Sequence, residues 1–141
     1  MGVYQHIVVG VDGSDASAQA AETAGRLAAD LDAKVTAVYV SQLPTTVPPF
    51  GAGIYLDSYW QEVERLAAER AAEALEKAGA PWRFEVRDGD PAIQLDLAAE
   101  EQGADLVVVG ARGHTVAHCL LLGSVSARLL HHARRPVLVV R

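Results

Sequence analysis

Three glycines and a serine are spaced in a way that suits an anion-binding loop, in the segment LVVVGARGHTVAHCLLLGSVS. Gly110 and Gly113 follow an apolar run, and Gly123 precedes Ser124 just before a predicted helix. Glycine lets the backbone approach a ligand without an intervening Cβ atom, and it also permits positive φ. The first turn of a helix offers unpaired N–H donors and a favourable dipole to an anion. We expect a phosphorylated ligand here; the alternative is that these glycines only form turns.

The spacing of these glycines matches neither of the two common phosphate-binding signatures. No lysine follows the last glycine, as a P-loop requires, and the segment is too long for a dinucleotide fingerprint. The hydroxyls of Ser124 and Ser126 are further predicted donors to a phosphate.

Strands and helices alternate along the chain that carries this loop. Runs rich in β-branched residues predict strands at His6–Val11, Ala33–Val40, Trp82–Arg87, Asp105–Val109 and Pro136–Val140. Helical spacing and caps predict four helices, which begin at Ser14 or Asp15, near Leu56, at Asp90–Pro91 and at Ser124. Such alternation predicts an α/β fold with a mostly parallel five-stranded sheet, covered by helices on both faces.

The predicted sheet places the glycine loop where ligands bind in this fold class. Ligands of open parallel sheets lie beyond the carboxyl ends of the strands, near the point where strand order reverses, and Gly110 follows such an end. The connection from Ser41 to Gly53 holds three prolines and two glycines, so it is predicted to be long and irregular. The last strand is predicted to lie at a sheet edge, where its open backbone groups invite pairing with a second copy.

Composition sets the broad class of protein. The 141 residues fit one domain, 1–141, and the net charge of -6 without an extended basic cluster argues against nucleic-acid binding. Cys119 is the only cysteine, so an intrachain disulfide is impossible and a reducing cytoplasm is the simplest expectation. The sequence begins without the features of an export signal and has no apolar run long enough to span a membrane.

The spacing of Gly110, Gly113 and Gly123–Ser124 resembles the nucleotide-binding signature of the universal stress protein family. GARG is followed by nine residues and then GSVS, and other stretches are similar to the family in the expected order. These stretches are GVDGS, VYV, ADLVVVGARG, LLLGSVS and PVLVV. The resemblance covers essentially the whole chain and implies a Rossmann-like, doubly wound five-stranded sheet that binds ATP or another adenine nucleotide. It also implies a homodimer through the C-terminal strand.

The resemblance assigns site residues position by position. Asp12 and Val40 match positions on the adenine and ribose side, and Gly10 and Arg112 are weaker neighbours. The positions around ribose and phosphates match Gly110, Gly113, Gly123, Ser124, Val125 and Ser126. Asp12 is also a candidate ligand for a Mg²⁺ ion carried by the nucleotide, since hard cations take oxygen ligands.

Two histidines mark a departure from the family pattern. Where family members often carry lysine or arginine, this chain has His114 and His118. A histidine near its ordinary pKa is only partly charged at neutral pH. If His118 contacts phosphate, nucleotide binding should strengthen as the pH falls. A zinc site at His114, His118 and Cys119 is the weaker interpretation, because no fourth ligand stands nearby in the sequence.

Three functions remain open from the sequence. The first is a homodimeric adenine-nucleotide-binding protein, with ATP as the expected ligand and a sensing or regulatory role in the stress response. The second is a slow ATPase, although no residue is evident as the base for an attacking water. The third is an interaction scaffold that no longer binds nucleotide. Tyr59 and Trp60 are predicted to be core or helix-surface residues rather than a base-stacking platform.

Overall fold

A computed structural model describes residues 3–41, 52–111 and 123–141, with the backbone alone over 52–57. The elements follow in the order β1 (His6–Gly10), α1 (Asp15–Leu31), β2 (Lys34–Ser41), α2 (Ala52–Ala78), β3 (Trp82–Asp88), α3 (Pro91–Gln102), β4 (Leu106–Gly110), α4 (Ser124–His132) and β5 (Val137–Val140). All the predicted strands and helices are present. The main difference is that α2 begins at Ala52 rather than near Leu56.

The five strands form one parallel sheet in the order β3-β2-β1-β4-β5. This order reverses between β1 and β4, because the chain first builds outward through β2 and β3 and then returns to the other side of β1. Val9 pairs with Val108 in the β1–β4 register, so both strands reach their carboxyl ends at the same level. The predicted switch point therefore lies between the carboxyl ends of β1 and β4, at Gly10 and Gly110, and we call this place the crevice.

Helices cover both faces of the sheet, as predicted. Alternate residues of β1 serve the two cores: Ile7 and Val9 pack in the core under α1 and α2, and Val8 packs in the core under α3. On the first face, α1 and α2 approach each other closely. A Cβ atom at Gly25 would lie 2.8 Å from the Cβ atom of Ala78, which explains a glycine inside a helix.

The first turns of α1 and α3 are capped by their own sequence. Ser14 Oγ accepts a hydrogen bond from the amide of Ser17 at 3.2 Å, and Asp90 Oδ1 accepts one from the amide of Ile93 at 3.1 Å. A hydrogen bond from Arg128 lowers the pKa of Asp90, which keeps this cap ionised. Both caps use the expected residue types.

A chain of hydrogen bonds fixes the tautomer of the buried His6. Gln102 Nε2 donates to a carboxylate oxygen of Glu85 at 2.8 Å, so the amide oxygen of Gln102 accepts the hydroxyl hydrogen of Thr36 at 3.0 Å. Thr36 Oγ1 has no other hydrogen to give, so His6 Nε2 donates to it across 2.8 Å. His6 Nδ1 carries the lone pair and is buried with no hydrogen-bond partner among the residues that the structure describes.

This environment predicts that folding stability falls in mild acid. Burial, with the positive charges of Lys34 and Arg83, holds the pKa of His6 below its usual 6.5 despite opposing effects of the Gln102 backbone and Asp105. The unfolded chain therefore binds a proton that the folded chain does not, and stability decreases as the pH falls below 6.5. Urea unfolding at about pH 7.5 and about pH 5.5 should show a larger loss for the wild type than for His6→Gln. Equal losses in the two proteins would contradict this account of His6.

Candidate nucleotide-binding crevice

The loop after β1 is held by bonds around Asp12. Asp12 Oδ1 accepts hydrogen bonds from the backbone amide of Ser14 at 2.9 Å and from the Ser14 hydroxyl at 2.5 Å. The amide of Asp12 donates to Ser17 Oγ at 3.2 Å. These contacts bend the chain back onto the start of α1, with Gly13 at a positive φ of 84°. The carboxyl group of Asp12 is thus fixed, yet the residue remains half-exposed.

Arg70 of α2 contacts the same loop. Its Nη1 donates to the carbonyl oxygen of Gly13 at 2.7 Å, and its Nη2 donates to Asp15 Oδ1 at 2.6 Å. Sequence reasoning missed both Arg70 and Ser17. Helical spacing places Arg70 at the border of the apolar stripe through Ala67 and Ala71, but a contact made across 57 residues of sequence has no local signal.

The other side of the crevice begins at Gly110. A Cβ atom here would lie 2.8 Å from the carbonyl oxygen of Ala16 and 2.9 Å from its carbonyl carbon, so the first turn of α1 packs directly on this glycine. Neither of the two described glycines of this loop uses the positive φ that glycine permits. Gly110 is not among the glycines with positive φ, and Gly123 has φ -65°. Packing of α1 is the physical reason for glycine at 110.

The N-terminus of α4 returns to the end of β4. The amide of Gly123 donates to the carbonyl oxygen of Ala111 at 2.6 Å, and Gly123, which is the N-cap residue, has no side chain with which to cap this helix. Ser124 is exposed and Val125 is half-exposed. In α1 and α3, by contrast, the side chain of the N-cap residue accepts a hydrogen bond from a first-turn amide. The first-turn amides of α4 therefore lack the side-chain acceptor that α1 and α3 have.

Ser126 has a different place from the one predicted. Its residue is 1% exposed, and its hydroxyl lies 3.2 Å from the carbonyl oxygen of Ala111 and 3.0 Å from that of Gly123, both acceptors. A hydroxyl has one hydrogen to donate, and both acceptors here are backbone groups of the loop. The side chain of Ser126 thus holds the start of α4 against the end of β4.

The two sides of the crevice differ in charge. On the β1 side lies the carboxylate of Asp12, in a loop whose Gly13 carbonyl accepts a hydrogen bond from Arg70. Burial, followed by the negative charges of Glu64 and Asp12, raises the pKa of Tyr39 in the core beneath α1 and α2. On the β4 side, the start of α4 offers backbone N–H groups and the positive end of the helix dipole. A ligand with a neutral or cationic part and an anionic part matches this polarity.

The structure brings most of the predicted site residues to this one place. Gly10 pairs with Val38, so Asp12, two residues beyond β1, lies at the level of Val40 near the end of β2, and Gly110 ends the neighbouring β4. Gly123, Ser124, Val125 and Ser126 follow at the start of α4. The remaining predicted residues lie outside the described residues: Arg112, Gly113, His114, His118 and Cys119.

The two neighbouring aromatic residues of α2 differ in burial. Trp60 is half-buried, and its ring meets the exposed Tyr59 edge-on with centroids 5.3 Å apart. Across residues 3–41, 52–111 and 123–141, no group of three or more His, Cys, Asp and Glu side chains is gathered for a metal ion. None of the helices described there is long and apolar enough to cross a membrane.

An open, doubly wound α/β protein with a crevice at its switch point is the class that this fold and site define. Comparison with known proteins agrees with that class. The chain matches the model of the universal stress protein family over residues 3–141. It is 38% identical over 146 residues to a universal stress protein of Methanocaldococcus jannaschii, covering 99% of this chain and 83% of the relative.

Solved structures give the same result. The crystal structure of a universal stress protein family member from Burkholderia pseudomallei matches with a TM-score of 0.76 and 32% identity, covering 99% of this chain and 98% of that one. A universal stress protein solved in complex with cAMP matches with a TM-score of 0.69 and 35% identity, covering 98% and 97% of the two chains. The chain belongs to the universal stress protein family.

The contact at Gly110 leads to a stability prediction with a built-in control. Gly110→Ala forces a methyl group against the backbone of Ala16, and overpacking of this kind costs about 1–3 kcal/mol. In Gly10→Ala the new methyl group meets the flexible end of Leu95 at 2.8 Å, so a smaller loss is expected. Urea unfolding of both variants measures the difference. A Gly110→Ala variant no less stable than Gly10→Ala would show that α1 does not depend on this contact.

Proposed function

We propose that the crevice between β1 and β4 binds an adenine nucleotide, with the phosphates at the start of α4. The observation that carries the proposal is the N-terminus of α4, which has no side-chain cap and is bonded through Gly123 to the end of β4. Backbone amides at a helix N-terminus favour phosphate oxygens. The cAMP complex of a relative 35% identical to this chain supports an adenine nucleotide as the ligand class.

The polarity of the crevice supports one orientation of the ligand. Asp12 and Val40 take the adenine and ribose, because carboxylates accept hydrogen bonds from hydroxyl and amino groups and repel phosphates. Ser124 and Val125 present their amides to the phosphates, with Gly110 below them. Arg112 and Gly113 belong to the proposed phosphate side on the strength of the family signature. Ser126 supports this side through its bonds to the loop carbonyls.

ATP is the proposed nucleotide, and cAMP is the second candidate. The resemblance to ATP-binding members favours ATP, whereas the relative solved with cAMP favours the cyclic monophosphate. A Mg²⁺ ion carried by ATP would find its oxygen ligands in the triphosphate; with Asp12 on the nucleoside side, the proposed orientation does not make Asp12 a ligand of that ion. Calorimetric titration with ATP, with and without Mg²⁺, and with cAMP separates the two candidates.

A single substitution tests the phosphate site, because it changes stability and affinity in opposite directions. Ser124→Glu places a carboxylate in the exposed first turn of α4, where it stabilises the helix by about 0.3–1 kcal/mol. The same charge repels phosphates, so affinity for ATP should fall, while affinity for adenosine stays unchanged. Ser124→Ala is the matched control without a charge. Calorimetry and urea unfolding give the two measurements.

The outcomes of this test are distinct. Wild-type protein that binds neither ATP nor cAMP would contradict the proposed function. Wild-type binding with an unchanged ATP affinity in Ser124→Glu would leave nucleotide binding standing but remove the α4 terminus from it.

Binding rather than turnover is the proposed activity. The described part of the crevice offers fixed donors and a carboxylate already hydrogen-bonded to Ser14, which suits holding a ligand. A slow ATPase is tested by phosphate release from the purified protein. We further propose a sensing or regulatory role in the stress response in the cytoplasm, where the nucleotide level sets occupancy of the crevice and the reducing environment suits the single Cys119.

We also propose a homodimer through β5. This strand lies at the sheet edge, and its four residues are all apolar and half-exposed. The carbonyl oxygens of Pro136 and Val140 face β4 and accept from its amides. By alternation, the backbone groups of Val137 and Val139 face the open edge.

The two edges of the sheet provide a matched test of the dimer. Val139→Pro removes an edge-facing N–H group without taking a hydrogen bond from the β4–β5 ladder, so it should yield a folded monomer. On the opposite edge, the Pro81 carbonyl faces β2, and Val86 therefore faces outward. Val86→Pro is the control and should remain dimeric. Analytical ultracentrifugation decides, and a dimeric Val139→Pro would rule out pairing through β5.

A further inference from the structure

The Gly13–Ser14 peptide group connects Arg70 to Asp12. The carbonyl oxygen of this peptide accepts from Arg70 Nη1 at 2.7 Å, and its N–H donates to Asp12 Oδ1 at 2.9 Å. The peptide group is planar and rigid, so holding its oxygen also sets the direction of its N–H. Arg70 therefore acts on the orientation of the Asp12 carboxyl group through one intervening peptide.

Arg70 is itself well placed to hold that plane. The guanidinium group is planar and donates in a fixed fork, and its second nitrogen reaches Asp15 Oδ1 at 2.6 Å. The backbone amide nitrogen of Ala67, one turn earlier in α2, lies 3.6 Å from the Cβ position of Gly13, so helix and loop are in contact. Gly13 has φ 84°, which only glycine adopts readily, and this conformation turns its carbonyl toward α2.

The ion pair with Asp15 is the weaker part of this contact. The Asp15 side chain is 91% exposed, and exposed ion pairs contribute little because water and salt screen them. The bond from a charged guanidinium to a backbone carbonyl is of the stronger, charge-assisted kind. The Gly13 carbonyl is therefore the acceptor through which Arg70 exerts its main effect.

We propose that Arg70 is a positioning residue for the nucleotide site: it holds the Gly13–Ser14 peptide so that Asp12 is preorganised for the nucleoside part of the ligand. The inference rests on the proposed function and deepens it. The inference assigns Arg70 no contact with phosphate, because its described hydrogen bonds go to Gly13 and Asp15.

Arg65 offers a matched control on the same helix. It is a half-exposed arginine whose described partners are Glu62 and Glu69, both on α2 itself. Arg65→Met removes the same charge and the same kind of side chain as Arg70→Met. Arg65→Met leaves the loop after β1 unchanged, so the two variants differ in the hydrogen bond from Arg70 to the Gly13 carbonyl oxygen.

Two measurements test the inference. Amide hydrogen exchange of Ser14 in the ligand-free protein reports the bond to Asp12 directly, and we expect exchange to be about tenfold faster in Arg70→Met than in Arg65→Met. Calorimetric titration with adenosine and with ATP reports the site. Arg70→Met should weaken both ligands by the same factor, about tenfold, because the loss lies on the nucleoside side. Arg65→Met should match the wild type in both measurements.

Each outcome decides the question. Unchanged Ser14 exchange, or unchanged affinity for adenosine, in Arg70→Met would overturn the inference. A loss for ATP alone would also overturn it, because that pattern indicates a direct phosphate contact. Wild-type protein with no affinity for either ligand would overturn the proposed function and this inference together, whereas wild-type binding with unaffected Arg70→Met binding overturns only the latter.

A second variant covers the case in which Arg70→Met does not fold. Arg70→Lys keeps the charge and reach but replaces the rigid fork with a single ammonium group, which cannot hold Gly13 and Asp15 in the same geometry. If Arg70→Lys binds both adenosine and ATP more weakly than the wild type does, and its Ser14 amide exchanges faster, the inference is supported. Exchange and affinities equal to the wild type would overturn it.

Discussion

The packing of α1 on Gly110 is the contact on which the crevice depends. Because no Cβ atom intervenes, the first turn of α1 lies against the end of β4, with Ala16 on the glycine backbone. The loop after β1 must therefore turn sharply, and the bonds of Asp12 with Ser14 and Ser17 provide that turn. The carboxyl ends of β1 and β4, about 100 residues apart in sequence, thus lie side by side, which follows from the β1–β4 pairing and this close approach.

Opposite electrostatics on the two sides of that space follow from how the helices begin. α1 and α3 cap their first amides with Ser14 and Asp90, so their helix termini are satisfied within the chain. α4 begins at Gly123, which has no side chain to offer, and the Ser126 hydroxyl is used on backbone carbonyls. The absence of a cap leaves polar groups that water or a ligand must satisfy. The proposed phosphate site uses this terminus.

The sequence was sufficient to predict the elements, because hydrophobic periodicity and caps are local signals. The five strands, the four helices, the edge position of Val137–Val140 and the Ser14 cap were all predictable in this way. The start of α2 at Ala52 was not, since glycines beside it indicated a loop. The reason for glycine at 110, the buried hydroxyl of Ser126 and the contact of Arg70 with Gly13 depend on tertiary packing. No local pattern encodes them.

The part of the site that tertiary packing creates is also the part that sets its precision. When a ligand binds to a carboxylate on a flexible loop, ordering the loop costs conformational entropy and weakens the affinity. That cost is absent when the loop is already ordered before binding. Asp12 accepts hydrogen bonds from Ser14, and Arg70 of α2 donates to the carbonyl oxygen of the same Gly13–Ser14 peptide group. In the proposed site the carboxylate on the nucleoside side is therefore held in place, and the phosphate side consists of backbone amides, which respond to the charge of a ligand more than to its shape. Selectivity for adenine would then arise at Asp12, and the choice among its phosphates at the start of α4.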